Sequence, residues 1–432
     1  MFSKAIDILL LAKKEGIEIS LNGDELHVQV PKNRSFNKDL ISEIKGNKQN
    51  IVDFLKSSSR INSHYSKIEK FDRSQVQLIP ASFAQQRIWF IHMLEGSITY
   101  HIPAVLRLSG SLNAEALERS LGLIVDRHEV LRTVFGEQEG NLYQSVKEKN
   151  GWHLNVVDGS IQKENIAGLR NYIHNSINRP FDLSKDYMLR AELIRLAEDE
   201  HVLVVVMHHI ASDAWSMPII IKELAELYSS FVEGRNHRLS PLQLQYADYA
   251  VWEHNFLTPE LLDVKLQYWK DKLADVSPLQ LPTDFKRPAL RSTSGAACTF
   301  EIDQDLLSQL HRLSQQESSS LYMVLLSVFK VLLYRYSGQQ DISVGTSIAN
   351  RTQQEIEGLV GFFVNTLVFR DEVRGNATFL ELLRQVRATT LGAYEHQEVS
   401  FEKVVEAVVK ERDPSVSPLF QVMLVLQNTP EA

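Results

Sequence analysis

Apolar positions change period several times along the chain, and each change predicts an element. Residues 201–207, HVLVVVM, are continuously apolar and rich in valine, the pattern of a buried strand. AELIRL at 191–196 pairs with it as a hairpin across residues 197–200. AVLRLSG, from residue 104, reads as a further strand. Helical spacing puts Leu117, Leu121 and Ile124 on one face of 113–125. Ser82 is a plausible N-cap for the helix that opens at FAQQRIWF. YADYAVW at 246–252 starts an amphipathic helix with its aromatics inward. Another helix ends at Tyr268 and Trp269, and 319–336 is a strongly apolar helix. The stretch from Asp341 reads as a strand delivering small residues and then Asn350 and Arg351. Residues 296–302, AACTFEI, are strand-like, and 420–428 reads as a closing strand.

The first 58 residues form a unit of their own. Ile6, Leu9, Leu10 and Lys13 follow helical spacing up to Gly16. IEISL and ELHVQV flank Asn22-Gly23-Asp24, a strong hairpin signal, and Pro31 stops the second strand. Leu40, Ile41, Ile44, Ile51, Phe54 and Leu55 suit one broken helix or two, weakest at Gly46. Residues 59–75 are polar and aperiodic, a linker. Two further segments follow, 76–250 and 251–432, joined through a long proline-containing loop after Asp275.

Length and composition narrow the class. A chain of 432 residues exceeds one typical core. Its 44% apolar and 23% charged content is ordinary for a globular protein, and a net charge of −8 argues against a general nucleic-acid binder. No apolar run reaches the roughly 18 residues of a membrane span, and the start carries no cleavable signal pattern, so a cytoplasmic location is expected. The single cysteine, Cys298, excludes an intrachain disulfide and a thiolate metal cluster. Its strand-like context predicts a core position.

Candidate chemistry concentrates at HHIASDAWS, residues 208–216, where the buried strand should end. Two histidines and an aspartate at the mouth of such a strand are costly to place unpaired. Imidazole, with a reference pKa of about 6.5, can accept a proton near neutrality. Catalysis, structural pairing and metal binding all fit this spacing. Adjacent strand residues point to opposite faces, which argues against His208 and His209 sharing one metal. A buried Asp213 needs a cation, and arginine is the preferred partner.

HHIASDAWS resembles the HHxxxDG-type motif of condensation domains from nonribosomal peptide synthetases, whose shorter core is shared with the chloramphenicol acetyltransferase superfamily. Other segments resemble that family's motifs in the same order: SFAQQRIWF at 82–90, RHEVLRTVF at 127–135, RPFDL at 179–183, YADYAVW at 246–252, the 342–351 stretch ending in Asn350-Arg351, GFFVNT at 361–366 and HQEVSFE at 396–402. Departures are Ala214 for the usual glycine, Ser347 where proline is frequent, Glu398 for Asp and Ser400 for Pro. The resemblance implies an α/β fold of two similar lobes in a V, a chloramphenicol-acetyltransferase-like pseudo-dimer with a central channel. The N-terminal unit, with IEISLNGDELHVQVP as its most diagnostic part, resembles the tubulysin-synthetase type of docking domain. This implies a helix–β-hairpin–helix unit receiving an upstream subunit's C-terminal segment, with Lys32, Arg34 and Lys38 near that segment and dimerisation through residues 1–58.

The implied reaction is attack by the amine of an acceptor aminoacyl thioester on the carbonyl of a donor aminoacyl or peptidyl thioester. Both ride on phosphopantetheine arms of donor and acceptor peptidyl carrier proteins. A downstream adenylation domain is expected in the full-length subunit, with no cofactor or metal bound by this chain and no nucleic-acid or membrane partner. The resemblance makes His209 the catalytic group, as general base or positioning group, with His208, Asp213, Arg132 and Ala214 structural around it and Arg132 the partner of Asp213. Trp215, Ser216, Asn350 and Asn365 are candidate channel contacts. HHIASDAWS with SFAQQRIWF resembles the class joining an L donor to an L acceptor, and the DxxxxDxxS of heterocyclising domains is absent. A catalytically silent carrier-binding module and an acyltransferase using a soluble thioester are the alternative readings.

Overall fold

The valine-rich run at 201–207 is the middle of a central strand in a computed structural model of the chain. The structure describes residues 18–22, 25–29, 44, 46–48, 51–52, 67–75, 78–160, 165–286, 295–410 and 416–427. The chain divides into two units, 1–68 and 69–432. In the first, β1 (Glu18–Asn22) and β2 (Glu25–Gln29) pair antiparallel with Asn22 opposite Glu25, the hairpin predicted from the alternation around Asn-Gly. Ile44, Ile51 and Val52 are buried. The predicted first helix, the stop at Pro31, the basic residues Lys32, Arg34 and Lys38, most of 37–55 and the linker at 59–66 lie outside the described residues.

The second unit begins with β3 (Ile79–Pro80), α1 (Phe83–Glu95), β4 (His101–Ser109) and α2 (Ala114–Arg127). There follow β5 (Thr133–Gln138), β6 (Asn141–Val146), β7 (Asn155–Asp158) and α3 (Ile166–Asn178). Next come β8 (Leu189–Ala197), β9 (Glu200–His208), α4 (Ser216–Glu233), α5 (Tyr246–Phe256) and α6 (Pro259–Lys272). The remainder is α7 (Gln304–Gln316), α8 (Leu321–Ser337), β10 (Asp341–Ile348), β11 (Asn365–Glu372), α9 (Phe379–Tyr394) and α10 (Phe401–Val408).

Strand β9 lies inside a sheet of order β4-β9-β8-β7, antiparallel to both neighbours. It is covered on both faces, which explains its unbroken apolar run. The β8–β9 hairpin closes with Ala197 opposite Glu200, as expected from the sequence. Smaller sheets have the orders β3-β6-β5 and β10-β11. Helix α8 is capped by Ser320 and ends at Gly338 in the left-handed region, the residue type that tolerates it. It joins β10, β11 and α9 in a core containing Val324, Leu326, Ile342, Val344, Phe369 and Val386.

Several expectations are corrected. Cys298 is exposed, and residues 295–302 form no strand, because no strand among the described residues pairs with their backbone. The closing strand reduces to one parallel bridge, Gly345 to Met423. A Cβ at residue 345 would lie 2.6 Å from the Phe420 ring, so glycine lets this segment approach β10. No single helix among the described residues is long and apolar enough to cross a membrane.

The apolar helix α8 carries one charge into the core. Lys330 Nζ donates to Phe369 O (2.7 Å), Asp371 Oδ2 (2.8 Å) and Ile342 O (3.2 Å), which uses its three protons. Burial pulls the Lys330 pKa down and Asp371 opposes it. Asp371→Leu leaves that ammonium buried without a counter-ion and should lower the unfolding free energy by about 3–5 kcal/mol in urea titrations. Adding Lys330→Met should recover most of the loss.

Candidate active site

The polar cluster follows β9 directly. His208, the last residue of β9, sits opposite His101 of β4. The chain then makes a short 3₁₀ turn over His209–Ala211, and α4 begins at Ser216. His208 is fully buried, edge-on to His92 (6.1 Å between ring centres), His101 (6.1 Å) and Phe181 (5.6 Å). Its Nδ1 accepts from Ile210 N at 3.2 Å, so the proton is on Nε2, which has no hydrogen-bond partner among the described residues. Burial first, then the positive charges of His101, His92, His209 and Arg190, hold its pKa down at about 3. His208 is a neutral packing group across the physiological range.

His209 is placed differently. Its Nδ1–H donates to Ser212 O at 2.9 Å, which leaves Nε2 as the nitrogen with a free lone pair. The ring lies edge-on to Phe362 at 5.5 Å. Burial lowers its pKa; the Ser212 carbonyl and Asp213 oppose this, and Arg87 adds to it. At neutral pH this is a neutral imidazole with a fixed tautomer, able to accept a hydrogen bond or a proton.

Asp213 holds the turn that carries His209. Its buried carboxylate accepts from Ser216 N (2.9 Å), Phe363 N (3.2 Å) and Arg351 Nη2 (3.1 and 3.3 Å to the two oxygens). Arg351 Nη1 donates to Ile356 O (2.6 Å) and Leu359 O (2.7 Å), and its guanidinium lies 4.1 Å from the Phe363 ring centre. Arg132 is therefore not the partner of Asp213. Its guanidinium donates to Lys147 O and lies 3.5 Å from Glu129, so its charge is met inside its own segment.

Ser216, expected at the channel, is buried instead. Its Oγ lies 2.7 Å from Asp213 Oδ1 and 3.0 Å from Gly361 O, and accepts from Gly361 N at 3.1 Å. Trp215 is half-buried and donates from its indole to Glu357 O at 2.9 Å, tying the same two segments together. Ala214 is exposed and lies outside the positive-φ set of Glu139, Asn150, Asp275, Ser318, Asn350 and Leu419. Alanine is therefore unstrained where the motif usually has glycine.

A shallow crevice open to solvent is lined by Phe83, Arg87, Glu253, Asn350, Asn365 and Glu402, and a second lies against Tyr249, Trp252 and Phe256. His209 lines neither. Asn350 reaches the crevice in the left-handed conformation, φ 52°. The Asn365 amide is spent internally: Nδ2 donates to Gln397 O and Val399 O (2.8 Å each), and Oδ1 accepts from Thr366 N (2.8 Å) and Phe401 N (3.1 Å). It has no free polar group for a substrate. Among the described residues, no group of three or more His, Cys, Asp or Glu is arranged to hold a metal ion.

With this geometry in place, comparison with known proteins is decisive. Residues 75–432 match the Condensation domain family. The chain belongs to that family. It is 47% identical over 354 residues to one of the linear gramicidin synthase proteins of Brevibacillus parabrevis, covering 81% of this chain and 7% of the relative. It is 39% identical over 351 residues to tyrocidine synthase 2 of the same organism, covering 81% of this chain and 10% of the relative. The chain thus spans a small fraction of these proteins. Among solved structures, the X-domain from teicoplanin biosynthesis superposes with a TM-score of 0.73 at 29% identity, covering 83% of this chain and 79% of that one.

The residue that sequence reasoning missed in this condensation domain is Arg351. The only signal was its position: a strand of small residues delivering Asn350 and Arg351 to one spot. A double-mutant cycle separates the two arginines. Asp213→Asn with Arg351→Leu should show strong coupling, and either single change should cost about 3–5 kcal/mol. Asp213→Asn with Arg132→Leu should be additive within about 0.5 kcal/mol.

His208 makes a pH prediction. Unfolded histidines take protons below about pH 6.5, whereas folded His208 resists until about 3. The unfolded state binds more protons in that window, so this contribution is complete above about 6.5 and is lost as pH falls towards 3. The slope is about 1.4 kcal/mol per pH unit for this group. Urea unfolding in a pH series should show that slope reduced by one proton in His208→Gln.

Proposed function

We propose that the chain forms a peptide bond between a donor aminoacyl or peptidyl thioester and an acceptor aminoacyl thioester, both on phosphopantetheinyl carrier proteins. The neutral acceptor nitrogen bonds to the donor carbonyl carbon, the C–S bond breaks, and the proton lost by that nitrogen ends on the departing thiolate. The observation that carries this reading is His209 Nε2, a neutral acceptor with its tautomer held by Ser212 O, on a turn pinned by the buried Asp213–Arg351 pair. From there the imidazole can take a hydrogen bond from the attacking nitrogen and then its proton. The donor is already activated, so alignment by a rigid turn supplies much of the rate. The names of the gramicidin and tyrocidine synthases support substrates of the peptide-synthetase class.

The finer assignments belong to the same proposal. Residues 1–58 act as a docking domain of the tubulysin-synthetase type for an upstream subunit's C-terminal segment, and can dimerise. Support comes from the β1–β2 hairpin and the diagnostic sequence around it. The two segments after residue 75 act as lobes around a channel, with an adenylation domain downstream and L donors joined to L acceptors. A binding-only role is the second reading, favoured by the X-domain, which has also been solved as a complex with OxyB. The unstrained Ala214 and the intact His209 favour catalysis.

Intact-protein mass spectrometry of two loaded carriers tests this. A dipeptide should appear on the acceptor carrier and be lost by at least about a hundredfold in His209→Ala. Its appearance at the native rate with that variant would remove His209 from the mechanism. Deleting residues 1–58 should slow transfer only when the donor subunit carries its own C-terminal tail.

A further inference from the structure

Helix α1 contributes a buried amide next to the catalytic turn. Gln85 Nε2 donates to Ile210 O at 3.4 Å, one residue beyond His209. Its Oε1 accepts from Ser82 N at 3.0 Å, and Ser82 Oγ accepts from Gln85 N at 3.1 Å, a reciprocal cap on α1. Ser82 Oγ also lies 2.8 Å from the Tyr246 hydroxyl, and that hydroxyl donates to Phe362 O. A phenol has one proton, so Ser82 is the donor to Tyr246. The Phe362 ring is the one packed edge-on against His209 at 5.5 Å. The chain of bonds therefore leaves the backbone beside His209 and returns to the backbone of Phe362, the residue whose ring flanks it.

We propose that Tyr246, acting through Ser82, Gln85 and Phe362, is a positioning residue for His209. The inference rests on the condensation reading above. Two further observations support it. A Cβ at residue 361 would lie 2.1 Å from Tyr246 Cδ2, so Gly361 is what admits the phenol ring. The backbone of Gly361 is also bonded to Ser216, so the Asp213 and Tyr246 networks meet at the same residue. Burial raises the Tyr246 pKa well above the ordinary phenol range. The hydroxyl stays protonated, and it holds a carbonyl rather than moving a proton. Its role is legible only in the O–H, because phenylalanine would fill the same space.

The test compares Tyr246→Phe with Tyr322→Phe, whose hydroxyl makes the same type of bond to a carbonyl, Leu424 O at 3.3 Å, elsewhere in the molecule. Single-turnover rate, acceptor KM, Tm and the His209 imidazole resonances are measured on the full chain with loaded carriers. Tyr246→Phe should lower the rate about tenfold to a hundredfold, leave KM within about twofold and shift the His209 resonances. Tyr322→Phe should do none of these at a similar Tm. Ser82→Ala breaks the chain at a second point, and combining it with Tyr246→Phe should add little further loss. Rate losses that follow Tm equally in both tyrosine variants, or unshifted His209 resonances, would overturn the proposal. A wild-type chain that makes no dipeptide would defeat the condensation reading, and the His209 resonances would still decide the positioning role.

Discussion

The buried carboxylate of Asp213 has a native position only because Arg351 meets it there. An isolated charge in that place would be far too costly to keep. The two residues are 138 positions apart, so their pairing fixes the end of β9 against the segment running from Arg351 to Phe363. Several polar groups nearby are arranged around that contact. Ser216 bonds both to Asp213 and to Gly361, Trp215 reaches Glu357 O, and Arg351 is held by the carbonyls of Ile356 and Leu359. The Coulomb attraction alone would barely offset desolvation. The hydrogen bonds of Ser216 N and Phe363 N to Asp213, and of Arg351 Nη1 to two carbonyls, add to that attraction and make the pair a point of specificity.

The adjacent histidines show how one strand end divides two identical side chains into different chemical roles. His208 finishes the strand facing a closed pocket of His92, His101 and Phe181, where protonation is suppressed. His209 starts the 3₁₀ turn, its Nδ1 fixed by Ser212 O and its Nε2 open. The proposed chemistry needs one neutral imidazole with a defined tautomer on a rigid support. The same backbone turn supplies both the tautomer and the rigidity.

Local signals were strong where one element decides the outcome. The β8–β9 hairpin, the N-caps at Ser82 and Ser320 and the apolar helix α8 follow from periodicity and capping chemistry that neighbouring residues share. They failed where pairing with a distant segment decides. Residues 295–302 and 420–427 have strand-like composition, yet among the described residues the first has no strand partner and the second makes a single bridge. Strand propensity records a fit to a pleated, half-buried surface, and only tertiary structure says whether such a surface is present.

The sequence by itself determined the family, the motif at 208–216 and the globular-type composition, and singled out His209 as the candidate chemical centre, because these depend on residue types and their short, fixed spacing. Only the tertiary structure decided which arginine neutralises Asp213, that Ser216 is buried, that the Asn365 amide is spent on backbone and that Ala214 is unstrained. Arg132 and Arg351 are equally good cations on paper. Choosing between them requires distance, and distance between remote segments is set by how the whole core packs, a property that no local stretch of sequence carries.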